Sequence, residues 1–208
     1  MAPYLKNLTQ ALQKAAGKNL ARFLGISAIA LLLAPSALLP IKATAQEIQR
    51  DSVSVIMYHR FGEDRYPSTN IRLSQFEEHL ELLTNGDYTV LPLPEIIETL
   101  RAGGTVPDRT VAITVDDAYL SVYEQAWPRL KALGLPFTIF VATEPVEKNR
   151  RGYMSWDMLR ELQSAGVTIG SQTHTHPHLH RKTPEQVRAE INLSNQYFLQ
   201  EQLHSLVK

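Results

Sequence analysis

Two stretches of this chain carry residue types that could do chemistry. GSQTHTHPHLH, Gly170 to His180, holds four of the seven histidines at every second position. Asp116 and Asp117 stand side by side directly after an apolar run, TVAITV. A third feature, Met57-Tyr58-His59, closes another apolar run, VSVIMY. Imidazoles and carboxylates brought to one place are the makeup of a divalent metal site with a base beside it. The chain has no cysteine, so such a site has to be built from His and carboxylates, and no disulfide braces the fold.

Each feature also has a plainer reading. An Asp pair before a helix can cap it and complement its dipole. Yet two neighbouring carboxylates repel each other unless a cation or other partner compensates. Pro177 turns the histidine run away from a continuing strand. The run is therefore expected to be a shaped loop rather than an edge strand. His79 and His204 fall within helical patterns and read as surface residues.

The elements that must position these groups alternate in type. Val53–Tyr58, Tyr88–Leu91, Thr110–Val115, Pro136–Ala142 and Val167–Gly170 read as strands. Helical patterns fall between them. Ser74 with Glu77 forms a capping-box pattern opening a helix to about Leu83, with Gly86 expected as a left-handed C-cap. Pro94 opens the next helix. Another is expected from Ser121 to Leu133, one from Ser155 to Ala165, and a last one capped by Thr183 and Gln186. Gly62 to Asn70 and the charged stretch Thr143 to Gly152 read as loops. Such alternation implies an α/β fold with parallel strands and right-handed crossovers. Chemistry in these folds sits at the C-terminal ends of the strands, where all three features fall.

The ends of the chain differ from its middle. No acidic residue precedes Glu47, whereas Lys6, Lys14, Lys18, Arg22 and Lys42 all do. The apolar stretch Phe23–Ile41 follows Arg22, and Ala43-Thr44-Ala45 is a small-x-small cleavage pattern. Residues 1–45 thus read as a signal peptide or, uncleaved, as an N-terminal membrane anchor. Residues 46–208 form the domain, expected in the periplasm, cell envelope or extracellular space. That domain is mildly acidic and has no basic cluster, which argues against nucleic acid as a partner.

Thr114-Val115-Asp116-Asp117 resembles the Thr-Phe-Asp-Asp motif of the NodB-like polysaccharide deacetylases, carbohydrate esterase family 4. Gly170-Ser171-Gln172-Thr173-His174-Thr175-His176-Pro177 is similar to that family's second motif, His-Ser/Thr-x-x-His. VSVIMYH and Ser74-Gln75-Phe76 resemble the start of the domain in exported members. The resemblance implies a distorted (β/α) barrel and a hydrolase that removes N-acetyl groups from an amino-sugar polysaccharide. It implies a divalent metal, with zinc the usual ion, bound by Asp117, and Asp116 as the general base. His59 and Tyr58 would line the substrate site.

The second motif departs from the family. Gln172 stands where the first histidine ligand belongs. His176 is fixed as one ligand by the Gly-Ser lead and the following proline, with His178 or His174 as the other. The later family segments, which frame the site and supply the general acid, do not appear before Lys208. The sequence therefore reads as a truncated domain, an incomplete barrel with an exposed edge and weak or absent turnover. The alternative from another class is a non-catalytic metal- or glycan-binding module. A third, hydrolysis of cyclic amides, sits poorly with an export segment.

Overall fold

A computed structural model describes residues 53–204; residues 1–45, read above as a signal peptide or anchor, lie outside them. The main sheet is parallel throughout. Its order is β1 (Val53–Tyr58), β5 (Thr110–Asp116), β6 (Thr138–Val141) and β7 (Thr168–Ser171), with β4 (Thr89–Val90) also pairing β5. Arg60–Phe61 (β2) and Asn70–Ile71 (β3) make a second, two-stranded parallel pair. Helices α1 (Leu73–Asn85), α2 (Leu93–Arg101), α3 (Trp127–Ala132), α4 (Thr143–Glu147), α5 (Trp156–Ser164) and α6 (Pro184–Gln200) connect and cover the strands. Among the described residues the sheet does not close: the order ends at β1 on one side and β7 on the other.

β5 is the central strand, and its composition explains why. Six of its seven residues are buried, as a run of β-branched and apolar residues permits when both faces are covered. Successive side chains point to opposite faces. Val111, Ile113 and Val115 enter the larger core with Ile139, Ile169, Phe76, Leu130, Leu159, Leu162 and Phe198. Ala112 faces the other way, against Ile96 and Val106. Asp116 shares the face of Ala112, so its carboxylate emerges on the side opposite the main core.

β1 departs from the expected buried strand. Val55 and Met57 are 53% and 61% exposed. Both pair in register with the Ala112 and Thr114 side of β5, which leaves an apolar strip on that face of the outermost strand.

Several local expectations are corrected. α1 begins at Leu73 after Arg72 with no side-chain cap, so Ser74 lies inside the first turn and cannot act as its N-cap. Gly86 is extended, with φ −88°, rather than left-handed. Its glycine is required by space instead, because a Cβ there would lie 2.6 Å from the Leu82 carbonyl oxygen. The helix expected from Ser121 starts as a π-helical turn, Val122–Ala126, before α3. Thr143 to Gly152, expected as loop, opens with α4. Ser155 does cap α5, and Thr183 with Gln186 forms the full capping box of α6.

Gly170 on β7 packs directly under the Phe140 ring. A Cβ at Gly170 would sit 2.5 Å from one ring carbon and 2.6 Å from the next. Gly170→Ala is expected to destabilise the domain by about 1–3 kcal/mol, the usual range for overpacking. Thermal or urea melting of Gly170→Ala, Phe140→Leu and the double variant tests this. Recovery of the lost stability in the double variant is the expected result.

Candidate active site

The site is built where β5 and β7 end together. Asp117 and Ala118 follow β5 with φ of 74° and 53°. Left-handed backbone is costly for a residue with a Cβ, though Asp tolerates it better than most. The conformation is held from three sides. The Asp117 backbone N–H donates to the Phe140 carbonyl at 2.9 Å and to Gln172 Oε1 at 3.1 Å. The Ala118 carbonyl accepts from Met154 N–H at 2.9 Å, and Leu120 N–H donates to the Gly152 carbonyl at 2.8 Å.

Gln172 joins the two strand ends. Its Nε2 donates to Asp116 Oδ2 at 3.3 Å while its Oε1 accepts from Asp117 N–H. A backbone N–H can meet only an acceptor, so the amide orientation is fixed and its NH2 faces the Asp116 carboxylate. Burial raises the Asp116 pKa above the ordinary carboxylate value. His59 opposes the rise, Asp117 adds to it, and His176 and the Gln172 hydrogen bond oppose it. His59, His176 and Gln172 are therefore the groups that stabilise the Asp116 anion.

The other expected histidines go elsewhere. His174 Nδ1 is hydrogen-bonded to Thr143 Oγ1 at 2.9 Å. Its ring stacks on Tyr197 at 5.2 Å and 6°, and Tyr197 stacks in turn on Trp156. His178 is exposed and pairs with His180, ring centroids 5.7 Å apart. The structure thus turns His174 toward α4 and α6 and leaves His178 with His180. Tyr58 also departs from its expected role. It is 7% exposed, packed against Phe61 and Phe76, with its hydroxyl on His79 Nδ1 at 2.8 Å. It is a core residue in this arrangement.

Glu190 on α6 shapes the histidine loop and had no signal in the sequence. Its carboxylate accepts from the backbone N–H groups of His174 (3.1 Å) and Thr175 (2.8 Å) and from Thr175 Oγ1 (2.8 Å). Burial by itself would raise its pKa; the Thr175 and His174 hydrogen bonds outweigh that, and the pKa is lowered. The loop is further fixed by Thr143 N–H on the Thr173 carbonyl, Glu144 N–H on the His174 carbonyl and Gln172 N–H on the Val141 carbonyl. Tyr119 was also unanticipated. Arg60 lies 3.4 Å over its ring. Burial, a hydrogen bond with Tyr153 and the charge of Asp117 raise its pKa.

A metal implied by the resemblance meets a donor set that does not fit it. Zinc sites use at least three protein donors of strong type. By type Asp117 and His176 qualify, but His176 is exposed and Gln172 offers only a neutral amide already committed to Asp116 and Asp117. Among the described residues no three His, Asp or Glu side chains converge as a metal-binding group.

Comparison with known proteins adds a family. Residues 103–203 match the family model described as polysaccharide deacetylase. A protein of Bacillus subtilis named putative polysaccharide deacetylase YxkH is 28% identical over 144 residues, 69% of this chain and 50% of that protein. A poly-beta-1,6-N-acetyl-D-glucosamine N-deacetylase of Staphylococcus aureus is 32% identical over 112 residues, 51% of this chain and 37% of that protein. The chain thus spans half or less of the length of these relatives. Among solved structures, Streptococcus pyogenes deacetylase PplD in complex with acetate matches with a TM-score of 0.66 at 20% identity, covering 74% of this chain and 70% of that one. IcaB from Ammonifex degensii matches at 0.63 and 24%, covering 74% and 72%. These structures show a shared fold.

Glu190→Ala removes three hydrogen bonds and is expected to lower stability by about 1–2 kcal/mol, with the loss confined to the histidine loop. Because the folded pKa of Glu190 is lowered, its contribution is present above the ordinary Glu range and disappears as pH falls through the folded value. Hydrogen exchange of the Thr175 amide against pH measures it. Asp116 has the opposite sign: its folded pKa is raised, so its ionisation weakens the fold as pH rises past the ordinary Asp value. Asp116→Asn is expected to raise the melting temperature at neutral pH by about 1–2 °C, small because solvent screens a half-exposed group.

Proposed function

From the premise that this chain carries a polysaccharide deacetylase domain over residues 103–203, we propose that it acts on an N-acetylated amino-sugar polymer outside the cytoplasm. The reaction is hydrolysis of the acetamide. The observation that carries the reading is the Asp116 carboxylate, held at the end of β5 by the Gln172 amide with Asp117 beside it. Asp116 takes a proton from an attacking water, and the hydroxide adds to the acetamide carbonyl carbon. Returning that proton to the sugar nitrogen lets the C–N bond break, leaving acetate and a free amine. His59 and His176 oppose the rise in the Asp116 pKa that burial causes. The basic and apolar segment before residue 46 supports export. No step is routed through a metal ion, because the donor set does not fit one.

Gln172 favours a second reading, in which the domain binds the glycan without turning it over. Its amide occupies the position that the resemblance gives to a histidine ligand. The two readings part on one pair of measurements with poly-β-1,6-N-acetylglucosamine: acetate released, and polymer retained on the protein. Acetate release that falls at least about 100-fold in Asp116→Asn is the expected result for a base of this kind. Polymer retention with no acetate, unchanged in Asp116→Asn, would transfer the assignment to the binding reading.

A further inference from the structure

We propose that the Gln172 side chain takes the place of a cation at the aspartate pair, so that this site holds a divalent ion poorly and a single substitution, Gln172→His, creates the missing donor. Two adjacent carboxylates need positive charge or hydrogen-bond donors near them. Gln172 provides a donor: its NH2 is directed at Asp116 Oδ2 while its carbonyl is occupied by Asp117 N–H. The amide is locked by both contacts at once, and its backbone N–H is tied to the Val141 carbonyl at 2.9 Å. An ion entering the site would have to break the Asp117 contact to use Oε1, and would gain only a neutral oxygen.

The neighbouring residues do not make up the deficit. His174 is the nearest histidine in sequence, but its Nδ1 is on Thr143 and its ring is stacked on Tyr197. His178 is paired with His180 in solvent. A histidine at position 172 would stand on the strand end that already faces both aspartates. With Asp117 and His176 it would complete a set of one carboxylate and two imidazoles.

The inference rests on the site geometry and not on the hydrolytic reading, and its test uses zinc alone with no glycan. Zinc affinity is measured by competition with a chromophoric chelator on the full chain. The background carries His178→Ala and His180→Ala, so that the exposed pair does not compete. Gln172→His is expected to bind one zinc per chain at least about 100-fold more tightly than Gln172, a gain at the upper end of ligand-sphere effects. Adding His176→Ala should abolish that gain, and Gln172→Ala should bind zinc no more weakly than the parent. Equal affinity in the parent and a folded Gln172→His, judged by thermal melting, overturns the proposal. If Gln172→His does not fold, Gln172→Ala decides: a loss of zinc affinity there would make the amide oxygen a ligand and overturn the proposal.

Discussion

The hydrogen bonds of one side-chain amide, Gln172, are what the site depends on. Asp116 and Asp117 stand together at the end of a buried strand, and like charges there are expensive. Two unit charges about 6 Å apart at an effective dielectric of about 20 repel by roughly 3 kcal/mol. A hydrogen bond to a charged group returns about 1.5–3 kcal/mol, and two imidazoles nearby add to it. Gln172 donates to Asp116 and at the same time accepts from the backbone of Asp117. It therefore offsets charge on one residue while holding the other in left-handed backbone. Since Gln172 follows β7 and the pair ends β5, the same contacts set how the two strand ends meet across β6.

The geometry beneath follows from alternation along β5. Odd-numbered residues from Val111 to Val115 fill the main core, so Asp116 has to emerge on the other face. Its partner positions in register are Phe140 and, one strand further, Gly170. A glycine there lets the Phe140 ring lie close over β7. Packing below the site and polar contacts within it are thus consecutive layers of the same three strands.

The strands and most helices were legible because their signals are local. A run such as TVAITV, or Thr183 with Gln186, specifies its structure through its own residues. The misses have a common physical origin, which is a partner distant in sequence or a neighbouring atom. Gly86 is glycine because of the Leu82 carbonyl rather than its own φ. Ser74 has a capping pattern, but the helix starts ahead of it. The interruption after Ser121 coincides with the Ser121 hydroxyl bonding both Phe61 N–H and Glu63, contacts made some sixty residues away.

The site divides along the same line. That the Asp116–Asp117 pair and the loop after β7 come to one edge was readable, because strand ends in a parallel sheet share one edge. Where each of the alternating histidines goes was not: His174 is half-buried, and His176, His178 and His180 are exposed. His174 is drawn away by Thr143, Tyr197 and Glu190, all on helices α4 and α6, and none of them carries a motif. Alternate positions in a loop have no obligation to share a face, unlike alternate positions in a strand. The left-handed backbone at Thr173 and His176 breaks that periodicity. His174, two residues after Gln172, is engaged by Thr143 and Tyr197 instead. The loop that shapes the site also commits its spare imidazoles to other partners.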